Sequence, residues 1–185
     1  MNVVLILGSV RDTRIGGNVL LKVKSLIDIP YDIIVVDPLD YHLPLLNKRY
    51  FEMSNPEPVF NKLHKIFSEA DGFILVTAEY NHGIPPAMKN MLDHFGTEFR
   101  HKACGIVSYS DGAIGGARAT EQLRLVCSTL GMPPVGTSPA WGLAHKIDAP
   151  EGKSFHENFE RQFKAFLKEF DWYINALTNH RKITS

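Results

Sequence analysis

Residues 72–86 read Gly72-Phe73-Ile74-Leu75-Val76-Thr77-Ala78-Glu79-Tyr80-Asn81-His82-Gly83-Ile84-Pro85-Pro86. A short apolar run passes into a polar stretch, and two prolines then stand where a helix would open, because a proline at the first helical position lacks only an N–H that has no partner there. This is the strand, loop and helix start of one βα unit. Working outward, similar apolar runs predict strands at residues 3–7, 33–37, 72–77, 103–108 and 134–137. Stretches of helical period separate them. Val19, Val23, Leu26 and Ile27 mark one helix face; Val59, Leu63, Ile66, Phe67 and Ala70 mark a second, opened by Pro56 and Pro58. Ile84, Met88, Met91, Leu92 and Phe95 form a third face, and Ala119, Leu123, Val126, Cys127 and Leu130 a fourth, ended by Gly131-Met132-Pro133-Pro134. Phe155, Phe159, Phe163, Phe166, Leu167, Phe170, Ile174 and Leu177 make the last stripe, which is expected to cover the sheet. Strands alternating with helices predict an α/β fold: a doubly wound, five-stranded parallel sheet with helices on both faces, in one domain over residues 1–185.

The composition agrees with that reading and narrows the function. A chain of 185 residues with 44% hydrophobic and 22% charged residues is long enough to fold around its own core. Twenty basic against twenty acidic side chains leave no net field to draw a polyphosphate backbone or an anionic membrane, so neither nucleic acid nor membrane is an expected partner. Two isolated cysteines, Cys104 and Cys127, make neither a disulfide framework nor a zinc motif, and both fall on predicted core faces. A cytoplasmic location is expected, since the first apolar run is far shorter than a signal-peptide core.

In a doubly wound sheet, ligands sit beyond the carboxyl ends of the strands. After strand one, the loop from Gly8 to Asn18 carries Ser9, Arg11, Thr13 and Arg14 into a helix start. Hydroxyls, helix N–H groups and two guanidiniums suit a phosphate monoester, with Arg11 and Arg14 together offsetting its charge. The loop holds neither GxGxxG nor GxxxxGK[ST], so a dinucleotide fingerprint and a P-loop are excluded. The competing reading is that Ser9 or Thr13 caps the helix and the arginines are solvated. After strand three, Glu79, Tyr80 and Asn81 suit a flat heteroaromatic ring; the competing reading is a tight turn through Asn81 and Gly83 with Tyr80 as a lid. After strand four, the loop from Ser108 to Arg118 has glycines that admit close approach of a ligand to backbone. The eight histidines show no metal-ligand spacing, and the chain has no GxSxG elbow, Tyr-x-x-x-Lys pair or acidic pair after strand one.

Gly8-Ser9-Val10-Arg11 with Arg14 and Gly16, Leu43-Pro44-Leu45, Ala70-Asp71, and the stretch from Thr77 to Pro85 followed by Lys89-Asn90 and Leu92-Asp93, resemble the NADPH-dependent FMN reductase family. The resemblance runs from Gly8 to Gly116, and its most specific piece is Glu79-Tyr80-Asn81 with Ile84-Pro85 and Lys89-Asn90. It implies a flavodoxin-like fold, non-covalent FMN, NADPH or NADH as hydride donor, and a small-molecule acceptor such as a quinone, azo compound, metal oxyanion or free flavin. It also implies a homodimer or homotetramer with flavin sites near subunit interfaces. Carried over by position, Ser9, Arg11, Ile15, Gly16 and Asn18 would line the phosphate. Ala78, Glu79, Tyr80 and Asn81 would line the isoalloxazine, and Ser108, Ser110, Asp111 and Gly112 its far side. The chain departs from the family's pattern at Ala78, where proline is common, and in the loop from Ser110 to Gly116, which is longer. No side chain is required as an acid or base, since the cofactor carries the reactivity. Tyr50, Phe51 and His82 are candidate lining for the second substrate, and Asn90, Asp93 and His94 a candidate face for a second subunit. The rival from another class is an electron-carrier flavodoxin or a non-enzymatic flavin-binding module; zero net charge speaks against the acidic docking surface of a carrier.

Overall fold

The computed structural model describes residues 1–184. Five parallel strands, β1 (Asn2–Leu7), β2 (Asp32–Val36), β3 (Gly72–Ala78), β4 (Ala103–Tyr109) and β5 (Ala140–Trp141), lie in the order 2-1-3-4-5. That is the order of flavodoxin-like doubly wound sheets, with the switch point between β1 and β3. Helices α1 (Gly16–Ser25) and α5 (Pro150–Thr184) cover one face; α2 (Pro58–Glu69), α3 (Pro86–His94) and α4 (Ala117–Thr129) cover the other.

The two-residue period of a strand divides the core. Val3, Leu5 and Leu7 point to the α1/α5 face, while Val4 and Ile6 point to the opposite one. On the first face, Trp141, Phe159, Phe163, Phe166 and Phe170 follow one another with ring centroids 4.7–5.9 Å apart. The strands make room for them at glycine: a Cβ at Gly105 would stand 2.4 Å from the Phe166 ring, and one at Gly72 2.9 Å from Ile174. Cys104 and Cys127 are buried on the second face with their sulfurs 3.4 Å apart. Their mutual hydrogen bond, together with burial, pushes the Cys104 thiol well above its usual range, so it is an inert core thiol.

Two expectations are corrected. The fifth strand is not at residues 134–137. Pro133 and Pro134 have no N–H to donate, and the Gly136 and Thr137 N–H groups turn away to the Glu169 carboxylate at 3.3 and 2.9 Å. Arg124 takes the Val135 and Gly136 carbonyls. The segment therefore makes one bridge to β4, Cys104 with Pro134, and pairs again only at Ala140 and Trp141, opposite Ser108 and Tyr109. The second correction concerns α3. His94 is fully buried, 5.2 Å from the Phe60 ring, and Asn90 uses its amide to hold Pro44 O and Leu46 N. His94 is therefore not part of an open face, and the half-buried Asn90 already has both ends of its amide engaged.

Gly105→Ala should lower stability by about 1–3 kcal/mol through overpacking against Phe166. A thermal melt reads this directly, and an unchanged midpoint would show that α5 is not seated this closely.

Candidate functional site

Beyond the carboxyl ends of β1, β3 and β4 lies a cavity of about 400 Å³. Ser9, Arg11, Arg14, Ile15, Ala78, Glu79, Tyr80, Ser110, Asp111 and Gly112 all line it. Gly16, Asn18, Asn81 and Ser108 do not. Gly16 lies beneath the wall, where a Cβ would fall 2.2 Å from Ser9 Oγ and 2.3 Å from Tyr109 Oη. Asn18 is exposed on the first turn of α1, and Ser108 is fully buried, its hydroxyl without a partner among the described residues.

The loop after β1 is braced from below. Arg14 donates to Ser9 O at 2.6 Å and forms a bidentate pair with Asp37 at 2.7 and 2.5 Å. The Asp37 hydrogen bond is also the main reason the Arg14 pKa is raised. Burial on its own would raise the Asp37 pKa, but the bonds from Arg14 and from Leu39 N, with the Arg14 charge, hold it below the usual carboxylate range. This revises the expectation that Arg14 would share a ligand's charge with Arg11, since Asp37 already neutralises it. Arg11 makes no ion pair among the described residues; its guanidinium carbon lies 6.0 Å from the Tyr80 ring centroid. Nor does Ser9 or Thr13 cap α1: Ile15 is the N-cap, with no side-chain capping bond, so the first N–H groups of the helix remain open.

The loop after β3 is a two-residue hairpin turn. Tyr80 N donates to Gly83 O at 3.1 Å and Gly83 N to Tyr80 O at 2.9 Å, with Asn81 and His82 at φ 49° and 63°. Asn81 thus serves the turn, while Tyr80 and His82 line the cavity. The Glu79 carboxylate is taken up elsewhere: it accepts from Arg118 N at 3.0 Å and Ala119 N at 3.2 Å and so caps α4. In the loop after β4, Ser110 N donates to Trp141 O and Ser110 Oγ to Gly112 O. A Cβ at Gly112 would meet nothing closer than Ser110 Oγ at 3.8 Å, so this backbone is open to approach.

Thr13 also lines the cavity, as do Tyr109, Ala113, Ile114 and Arg118, which sequence reasoning does not single out. Tyr109 had a signal: it is a polar aromatic ending an otherwise apolar strand, on the parity that faces α5. Tyr50 and Phe51 are not in this cavity. Tyr50 stacks on His64 at 4.3 Å and bonds Asn61, anchoring its own loop. Phe51 lines a second cavity of about 700 Å³ with Lys89, Phe95 and Leu125. Among the described residues, no cluster of three or more His, Cys, Asp or Glu is placed to hold a metal, and no helix is long and apolar enough to cross a membrane.

A family model described as NADPH-dependent FMN reductase matches residues 1–146. An NAD(P)H-dependent FMN reductase of a Nectria species is 37% identical over 131 residues, covering 65% of this chain and 64% of that protein, so the chain spans just under two thirds of its length. A 2-hydroxy-1,4-benzoquinone reductase of a Burkholderia species is 27% identical over 184 residues, 94% of this chain and 96% of that one. Among solved structures, the flavoenzyme NAD(P)H:(acceptor) oxidoreductase FerB from Paracoccus denitrificans superposes with a TM-score of 0.76 at 19% identity, covering 93% and 98% of the two chains.

Asp37→Asn should cost roughly 1.5–3 kcal/mol at pH 7 by removing a bidentate charged bond. A carboxylate whose folded pKa is depressed stabilises above its unfolded value and loses that contribution as pH falls through the folded one. Thermal melts from pH 7 to pH 3 should therefore show the deficit of Asp37→Asn shrinking with acidity; a constant deficit would place the effect outside the ion pair.

Proposed function

The chain belongs to the NADPH-dependent FMN reductase family, and on that footing we propose that it binds FMN without covalent attachment and transfers electrons from NADPH or NADH to a small-molecule acceptor, a quinone first among them. The observation that carries the reading is a convergence in one cavity. A guanidinium without a carboxylate partner among the described residues, Ser9 and the N-cap residue of α1, Ile15, which makes no side-chain capping bond, meet there with the Tyr80 ring. The quinone is favoured by the name of the Burkholderia relative, which aligns over nearly the whole chain.

The residues present fit the group. Arg11, Ser9 and the first N–H groups of α1 would hold a phosphate, as an anion is held at a helix start. Tyr80 would cover part of the ring system, and the backbone around Gly112 is open enough for close approach. When bound, FMN supplies two-electron redox chemistry between a reduced nicotinamide and the acceptor. The protein's work is then placement. Arg14 and Asp37 keep the phosphate loop in register with the end of β2, and Glu79 ties the ring loop to α4. His82, Ile114 and Arg118 lie at the same cavity and are the side chains available to a second substrate. Self-association as a homodimer or homotetramer is proposed from the apolar surface around the second cavity, where Phe51 and Leu125 are 72% and 73% exposed.

Protein loaded with FMN and mixed anaerobically with NADPH or NADH should lose its visible flavin absorbance and regain it on adding a quinone. No bleaching by either nicotinamide would leave the electron-carrier reading in its place. Arg11→Ala should weaken FMN binding about 10- to 100-fold without lowering the melting midpoint, because it removes a charge-assisted contact from an exposed side chain. Unchanged affinity would put the phosphate elsewhere.

A further inference from the structure

Ser9 follows β1, and Tyr109 ends β4. The two strands are not neighbours, since β3 runs between them, so the backbones stand roughly 10 Å apart, two strand spacings. The Tyr109 hydroxyl nevertheless donates to Ser9 Oγ at 2.8 Å. Its register partner on β3 is Ala78, which belongs to the same core face. A methyl group is all that β3 places in its way. Gly16 closes the arrangement from the helix side: a Cβ there would stand 2.3 Å from Tyr109 Oη and 2.2 Å from Ser9 Oγ. Ser9 is 1% exposed and Tyr109 3%. The contact is therefore enclosed by β1, β3, β4 and the first residue of α1, and both residues line the cavity.

The direction of the bond follows from acidity. A phenol is a much stronger acid than an alkyl hydroxyl, so Tyr109 is the donor and Ser9 the acceptor. Burial pushes the phenol up to about 12, against a smaller opposing effect of the Ser9 bond, so it stays a neutral donor through the ordinary pH range. With one lone pair of its oxygen filled, the serine has its own hydrogen left to donate, and among the described residues that hydrogen has no acceptor. Arg14 holds the Ser9 carbonyl at 2.6 Å, which fixes the backbone from which the hydroxyl projects.

We propose that Tyr109 is a positioning residue for the phosphate of the bound flavin: by donating to Ser9 it turns the serine hydrogen outward, so that the loop presents a donor to an anionic oxygen. The inference rests on the FMN reading given above and adds to it a residue two strands away on the same face of the sheet. The polarity is built in before any ligand arrives. Tyr109 acts only through Ser9, and its contribution should appear in the recognition of the phosphate and not of the ring.

Riboflavin shares the ring system and lacks the phosphate, so the ratio of FMN to riboflavin affinity, from fluorescence titration of each, isolates this role. Wild-type protein should prefer FMN. Tyr109→Phe, which keeps the aromatic packing, should lower that preference about three- to tenfold with the riboflavin affinity unchanged. Ser9→Ala should lower it as well, and the double variant should lose little more than Ser9→Ala alone, because the two changes act on one contact. Equal weakening of both flavins, or no change in either, would overturn the inference and leave Tyr109 as a packing residue. Absence of any preference for FMN in the wild-type protein would instead overturn the phosphate-site reading itself. If Tyr109→Phe fails to fold, Ala78→Val supplies the same test: it retains the phenol but fills the gap across which it reaches, and it too should lower the FMN-to-riboflavin ratio. An unchanged ratio there overturns the inference equally.

Discussion

A parallel sheet covered by helices on both sides gives its central strands no solvated face. In β1, β3 and β4 every position from Val3 to Leu7, Gly72 to Ala78 and Ala103 to Tyr109 is buried. Hydroxyls enter these strands only at their carboxyl ends, as Thr77 and Ser108, which are register partners, and as Tyr109. The Thr77 hydroxyl is satisfied by its neighbour's carbonyl at 2.8 Å, while that of Ser108 has no partner among the described residues. Polar chemistry is thus kept to the ends of these strands by the same burial that stabilises their interior. The cavity lies at the carboxyl edge, where these hydroxyls gather; the polar side chains at the opposite ends of the strands, Asn2, Asp71 and Lys102, are engaged with one another's backbone or with α2 and α5.

At this edge the charges are divided between holding the loops and facing the cavity. Asp37 neutralises Arg14, and Glu79 is drawn to the open N–H groups of α4 and to Arg118. Each pairing fixes a loop to an element other than the one that precedes it: the loop after β1 to the end of β2, and the loop after β3 to α4. Of the two arginines in the loop after β1, Arg11 is left without a carboxylate among the described residues. A positive charge beside a helix N-terminus that is itself electropositive is unfavourable until an anion arrives. The arrangement is complementary to an anionic ligand for that reason, whatever the ring attached to it.

The sequence announced this architecture because period-two and helical patterns are local properties, and four strands fall within a residue or two of where those patterns end. The fifth lies elsewhere because its location is decided by partners remote in the chain: Arg124 on α4 takes the Val135 and Gly136 carbonyls and Glu169 on α5 the Gly136 and Thr137 N–H groups, which leaves them outside the ladder. The lining of the cavity was legible in the same measure. Loops after β1, β3 and β4 could be picked out by residue type, and ten of the fourteen residues singled out line the cavity. What could not be read was which charges are already engaged, since Arg14 finds Asp37 23 positions away and Glu79 finds the α4 start 39 positions away. Tyr109 was passed over for a related reason. Its bond to Ser9 depends on the smallness of Ala78 and Gly16, and nothing in the local pattern around residue 109 reports on either.

The turn at Asn81 and His82 shows how rigidly one side of the cavity is held. Non-glycine residues in the left-handed region cost of order 1–3 kcal/mol each, less for asparagine, and such strain persists only where the surroundings over-determine it. Here Gln122 of α4 does so, donating to His82 O at 3.0 Å and accepting from Ile84 N at 3.3 Å. A glycine in place of His82 would relieve the backbone, yet it would remove a side chain from the cavity wall. The strained turn, its strap to α4 and the Glu79 cap therefore make the loop after β3 and α4 one unit. The loop after β1 is a second unit, braced by Asp37 and Tyr109. They meet across the cavity where Arg11 approaches Tyr80, so a ligand that draws Arg11 to its anionic end and rests its flat end on Tyr80 would join two parts that the fold has already set in place.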